Sequence, residues 1–167
     1  MGKNIVLIGL PGSGKTTVGK LLAKEMGMKL VDTDEMIEAQ EKRSISDIFA
    51  QDGEAAFRTL ETACCKQVGA LEDTIIATGG GAVLKKENMD ALKKNGVVCF
   101  LDRDPKAIAA SVNTKNRPLQ KDDPNKIFEL HQQRNKLYRK YANTVYTGGT
   151  AKDLAEAIQL MYEMTVE

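Results

Sequence analysis

The chain has 167 residues, enough for one α/β domain with a sizeable core and too few for two of ordinary size. Its 24 Lys and Arg against 23 Asp and Glu leave a formal charge of +1, which excludes an electrostatically driven nucleic-acid or membrane surface and makes any anion site local. No apolar run approaches the roughly 20 residues that cross a bilayer, no apolar leader precedes the first strand, and Val6 stands where a myristoylation signal wants Ser or Thr, so a cytoplasmic location is expected; separately, a monomer is expected.

The first element is the apolar run from Asn4 to Ile8, read as a buried strand. It leads directly into Gly9-Leu10-Pro11-Gly12-Ser13-Gly14-Lys15-Thr16, which fits the phosphate-binding pattern G-x-x-x-x-G-K-[ST]. Val18, Leu21, Leu22 and Met26 then recur at helical spacing. A strand that delivers a glycine-rich loop into a helix aims backbone N–H groups and the positive end of the helix dipole at one spot suited to polyphosphate. Lys15 supplies a point charge for the β- and γ-phosphates, and Thr16 a hydroxyl for Mg²⁺.

The next strand, Lys29 to Val31, runs into Asp32-Thr33-Asp34. Asp32 is placed to hold a Mg²⁺ shell, directly or through water, and Asp34 to face an acceptor and take its hydroxyl proton. The alternative is that one of them only caps the helix beginning near Glu35. A long helical stretch follows, with Ser44 and Ser46 as candidate caps and a break at Asp52-Gly53. Within it Arg58 stands three residues before Glu61, an ordinary intrahelical ion pair or a pair in which Glu61 aims Arg58 at an anionic acceptor.

A third strand, Thr74 to Ala77, ends at Gly79-Gly80-Gly81, either a plain strand-to-helix turn or a place where a small acceptor lies against backbone. Val97 to Leu101 is the fourth strand and ends at Asp102-Arg103; Thr144 to Tyr146 is the fifth. Between them, Asn113 to Asn125 is polar and aperiodic, and Arg117 there is a clamp over the phosphates or a solvated side chain. Strands alternating with helices imply a parallel sheet sandwiched between helix layers, with ligands at the strands' carboxyl ends. His131, the three cysteines and the methionines are read as solvated or packing residues, and the cysteines lack a metal-ligand spacing.

Taken in order, the phosphate loop, Asp32-x-Asp34, Gly53-Glu54-x-x-Phe57-Arg58-x-x-Glu61, Gly79-Gly80-Gly81, Arg117-Pro118-Leu119 and Arg134-x-x-x-Tyr138 resemble shikimate kinases over nearly the whole chain. The resemblance implies an α/β P-loop three-layer sandwich with a five-stranded parallel sheet, similar to nucleoside monophosphate kinases. It implies one kinase domain over 1–167, with an acceptor-holding helical insertion at about 33–61 and a lid at about 112–124. The implied reaction transfers the γ-phosphoryl of ATP, with Mg²⁺, to the 3-hydroxyl of shikimate on the route to chorismate.

By the same resemblance, Gly12, Ser13, Gly14, Lys15, Thr16, Thr17 and Arg117 serve ATP, and Thr16 and Asp32 the metal. Asp34, Arg58, Gly79, Gly80, Gly81 and Arg134 serve shikimate, the two arginines taking its carboxylate. Lys15, Asp34 and Arg117 are the expected catalytic residues. Two departures stand out: Ala110 to Asn113 lacks the arginine that many relatives pack on adenine, and Gln120 follows Arg117-Pro118-Leu119 in place of Leu. Rival readings are a kinase of another small hydroxy acid such as gluconate, a nucleoside monophosphate kinase, and a non-catalytic nucleotide-binding module.

Overall fold

The structure is a computed structural model that describes residues 2–112 and 125–165. In chain order it contains β1 (Asn4–Ile8), α1 (Lys15–Met26), β2 (Lys29–Asp32), α2 (Thr33–Glu41), α3 (Ile45–Asp52), α4 (Glu54–Gly69) and β3 (Thr74–Ala77). There follow α5 (Lys86–Lys93), β4 (Gly96–Asp102), α6 (Pro105–Val112), α7 (Lys126–Tyr141), β5 (Thr144–Thr147) and α8 (Ala151–Thr165), with a short 3₁₀ turn at Ala82–Leu84. Arg117 and the expected lid from 113 onward lie outside the described residues. Among the described helices none is long and apolar enough to cross a membrane.

All pairings are parallel, in the order β2-β3-β1-β4-β5. The expected strands are present, with β2 running one residue further to Asp32 and β4 extending at both ends. β1 explains the layering. Its side chains alternate, so Ile5 and Leu7 join one core with α1 and α8, whereas Val6 and Ile8 join a second core. That second core takes in Ile37 of α2, Ile48 of α3, Phe57 and Val68 of α4, Met89 of α5 and Tyr138 of α7. Both faces of the central strands are thereby dry, which is why β1, β3 and most of β4 read as unbroken apolar runs.

Polar groups at the amino edge are paired. Asn4, fully buried, donates to Leu71 O at 2.8 Å and accepts from Thr74 N at 3.0 Å, and Val98 N donates to Asn143 Oδ1 at 2.8 Å. These bonds hold the register at one end of the sheet. The other end, where β1, β2, β3 and β4 all terminate on the same side, carries the residues singled out above. Most methionines pack as expected, but Met164 is 71% exposed, because its position on α8 turns away from the sheet.

Candidate active site

The donor side is mostly backbone. Gly12 (φ 83°) and Gly14 (φ 96°) adopt left-handed conformations that a Cβ disfavours, and α1 starts at Lys15 with no side-chain cap. Its first-turn N–H groups therefore face the loop with the positive dipole end behind them. The Lys15 ammonium is nearly buried and donates to Gly9 O at 2.7 Å and Leu10 O at 2.8 Å. Ser13 is buried in the loop and Thr17 follows Thr16 in the first turn of α1. From the end of β4, Arg103 Nη1 donates to Gly12 O at 2.8 Å and ties the loop to the neighbouring strand.

Asp32 resolves the alternative left open by spacing, because it does two things. Its Oδ1 accepts from Asp34 N at 2.9 Å and Glu35 N at 3.1 Å, capping α2. Its Oδ2 accepts from the Thr16 hydroxyl at 3.0 Å. One carboxylate thus starts the helix that carries Asp34 and also touches the last residue of the phosphate motif. α3 is capped in turn by Ser44, whose Oγ accepts from Asp47 N at 3.1 Å, while Ser46 lies inside the helix.

The acceptor side is built from side chains on several elements. Gly53 (φ 91°) breaks the chain between α3 and α4, and Phe57 packs on Phe49 with ring centroids 5.0 Å apart, joining those two helices. This fixes Arg58 on the inner face of α4. Arg58 Nη1 donates to Glu61 Oε1 at 2.9 Å and its Nε to Glu54 Oε2 at 3.3 Å. The Glu61 side chain is only 1% exposed, so this is no solvated surface pair; removing either partner would leave a buried charge uncompensated.

The triple glycine lies against these groups. A Cβ on Gly79 would sit 2.5 Å from Asp34 Oδ1 and 3.1 Å from Glu61 Oε2, one on Gly80 would sit 2.7 Å from Pro11 Cδ, and one on Gly81 would strike the Arg58 guanidinium. Each glycine makes room for a different part of the site, including the phosphate loop itself. Asp34 Oδ1, Glu61 Oε2 and Arg134 Nε are all buried with no hydrogen-bond partner among the described residues. Arg134 projects from α7 and is nearly buried.

Burial dominates the electrostatics. Desolvation, helped by the negative charges of Asp32 and Glu61, raises the Asp34 carboxyl to about 7, with Lys15 pulling the other way. Burial also raises Glu61, against the opposing pull of Arg58, Arg134 and Lys85. The cysteine thiols are all buried and pushed upward by desolvation, so they stay protonated and unreactive, as expected from their spacing.

Three contributors were given no role by sequence reasoning, although Arg103 stood at a flagged strand end and Tyr138 in a quoted motif. Thr33, fully buried, accepts from Gly79 N at 3.0 Å through Oγ1. The Tyr138 hydroxyl donates to Gly80 O at 2.6 Å, and Arg103 braces the loop as described. Arg103 had a signal in its place at a strand's carboxyl end, and Tyr138 in following Arg134 by one helical turn on the same face, whereas Thr33 had none.

Residues 11–164 match the family model for shikimate kinase. The chain is 46% identical over 165 residues to the shikimate kinase of Thermodesulfovibrio yellowstonii, covering 96% of this chain and 95% of that one. It is 39% identical over 153 residues to the shikimate kinase of Clostridium botulinum strain Eklund 17B, covering 92% of each. Among solved structures, the shikimate kinase of Acinetobacter baumannii in complex with shikimate superimposes with a TM-score of 0.91 at 34% identity, over 100% of this chain and 97% of that one.

Proposed function

The chain belongs to the shikimate kinase family, and from that premise we propose that it transfers the γ-phosphoryl of ATP to the 3-hydroxyl of shikimate. The observation that carries the reading is the meeting of Asp34, the Arg58–Glu61 pair and Gly79-Gly80-Gly81 beside Pro11 of the phosphate loop. A proton acceptor, a guanidinium and close backbone stand together at the mouth of a polyphosphate site. A small polyol carrying a carboxylate suits that set.

In this reading ATP lies on Gly12, Ser13, Gly14, Lys15, Thr16 and Thr17, and the ammonium of Lys15 stabilises charge on the transferring phosphoryl. Arg58 and Arg134 take the acceptor carboxylate as bidentate donors, which fits an Arg134 Nε that has no partner among the described residues. Gly79, Gly80 and Gly81 let the ring approach the backbone. Asp34 accepts the proton of the attacking hydroxyl as its oxygen bonds to the γ-phosphorus and the β–γ bridging oxygen leaves with ADP. A carboxyl with a pKa of about 7 is well matched to that exchange near neutrality. Arg117 would add a further positive charge over the phosphates.

Thr16 and Asp32 would hold Mg²⁺, directly or through water. Two hard oxygens 3.0 Å apart suit a cation that keeps most of its waters, and no group of three acidic, His or Cys residues among the described residues offers a full protein cage. When bound, the ion offsets charge on the β- and γ-phosphate oxygens. We read the chain as one kinase domain over 1–167, with the helices of about 33–61 holding the acceptor and about 112–124 closing on ATP. We also propose that it acts as a cytoplasmic monomer.

A coupled assay with ATP, Mg²⁺ and a panel of shikimate, gluconate and nucleoside monophosphates tests the reading. Turnover with shikimate alone is expected; a folded protein inactive at saturating shikimate would overturn it.

A further inference from the structure

We propose that Tyr138 is a positioning residue that holds the Gly79-Gly80-Gly81 backbone in register with Arg134, so that the phenolic hydroxyl governs acceptor affinity without touching the acceptor. The proposal rests on the acceptor reading given above. Among the described residues four bonds hold the tripeptide: Gly79 N donates to Thr33 Oγ1 at 3.0 Å, Ala82 N to Gly79 O at 3.1 Å, Leu84 N to Gly81 O at 3.0 Å and Tyr138 Oη to Gly80 O at 2.6 Å. Of these, the Tyr138 bond comes from α7, the helix that carries Arg134, and it is the shortest of the four.

The tyrosine itself has little freedom. It is 1% exposed, and its ring stacks on Phe100 of β4 with centroids 5.0 Å apart and planes 28° from parallel. A central strand therefore fixes the ring, and the ring fixes the hydroxyl. On α7, Arg134 stands one turn before Tyr138 on the same face, so the bond that anchors Gly80 also sets the distance between the tripeptide and the Arg134 guanidinium. Gly80 packs in turn on Pro11 Cδ, so the peptide held by Tyr138 abuts the phosphate loop. A fold that needed only a filled core at this position would be served by Phe, which stacks on Phe100 equally well and lacks the hydroxyl.

The test compares Tyr138→Phe with Tyr162→Phe. Tyr162 is a matched control: its hydroxyl also donates to a backbone carbonyl, Lys3 O at 2.5 Å, but it lies at the amino edge of the sheet in the opposite core. Y138F is expected to raise the KM for shikimate roughly fivefold to tenfold with the KM for ATP within about twofold, while Y162F lowers thermal stability and leaves both constants unchanged. In the ligand-free proteins, Y138F should also speed amide exchange at Ala82 and Leu84, whose N–H groups bond the tripeptide, and Y162F should not. An unchanged shikimate KM in Y138F, an equal rise in both KM values, or unchanged exchange at those amides overturns the proposal. Wild-type protein that fails to phosphorylate shikimate overturns the acceptor reading instead, and amide exchange then decides the positioning role by itself.

Discussion

The phosphate loop and the acceptor site share one edge of one sheet, yet they are made in opposite ways. From Gly9 to Thr16 the groups on offer are backbone amides plus the Lys15 ammonium and the Thr16 hydroxyl, all within a single stretch of chain, and their geometry follows from left-handed glycines and an uncapped helix start. The acceptor site draws on α2, α4, the turn after β3 and α7, and its working groups are buried charges. Thr33 meets Gly79 across 46 positions of sequence and Tyr138 meets Gly80 across 58. A loop of the first kind tolerates change elsewhere in the fold. A site of the second kind depends on every element that carries it.

The largest expected effect tests whether the proton acceptor belongs to the acceptor half alone. Asp34→Asn should lower kcat by about 10³-fold while ATP affinity is kept, as removal of a general base commonly does. Steady-state kinetics with direct ATP binding checks this, and weakened ATP binding would show the two halves to be less separate than their construction suggests. On the donor side, Lys15→Ala should lower kcat by about 10²-fold with the shikimate KM little changed. A shikimate KM that moved as much as kcat would erase the distinction.

Next in size, Arg58→Ala should raise the shikimate KM about 30-fold, with the ATP KM spared, because it removes a charged contact and strands the buried Glu61. Stability against pH sharpens the contrast further. The folded-state pKa of Asp34 is raised from 3.8 to about 7, so between those values the folded chain binds more protons than the unfolded chain. Its contribution to stability therefore falls as pH rises through that window. Asp34→Asn lacks this slope, so its melting temperature should exceed that of the wild type at about pH 8 by a few degrees and match it near pH 4. An equal offset at both pH values would show that Asp34 is not held in a desolvated site. The smallest effect falls on the loop's brace, where Arg103→Ala should raise the ATP KM about threefold, since only one exposed hydrogen bond to Gly12 O is lost.

These differences match what could be read in advance. The strand, loop and helix of the donor half were legible because their causes are local: an apolar run, glycines where φ turns positive and a lysine at a fixed offset. Asp32 was legible as cap or metal residue, and it proves to cap α2 while also meeting Thr16. Arg58 and Glu61 were visible as a pair, but their i, i+3 spacing is the same whether the pair is solvated or buried. The triple glycine was visible without its reason, which is room for Asp34, Pro11 and Arg58. Thr33 carried no signal, since a threonine in the first turn of a helix is unremarkable until the turn after β3 is laid against it.

The amino-acid sequence by itself determined the alternation of strands and helices, the polyphosphate loop and, through an ordered set of motifs, the family. Tertiary structure alone decided which carboxylate caps a helix, which is desolvated and which holds an arginine. The physical reason is that backbone conformation is set by near neighbours, whereas desolvation and charge coupling depend on what the fold packs around a group. Asp34 leaves the ordinary carboxylate range chiefly because the fold excludes water from it, with neighbouring Asp32 and, brought alongside by α4, Glu61 adding to the shift.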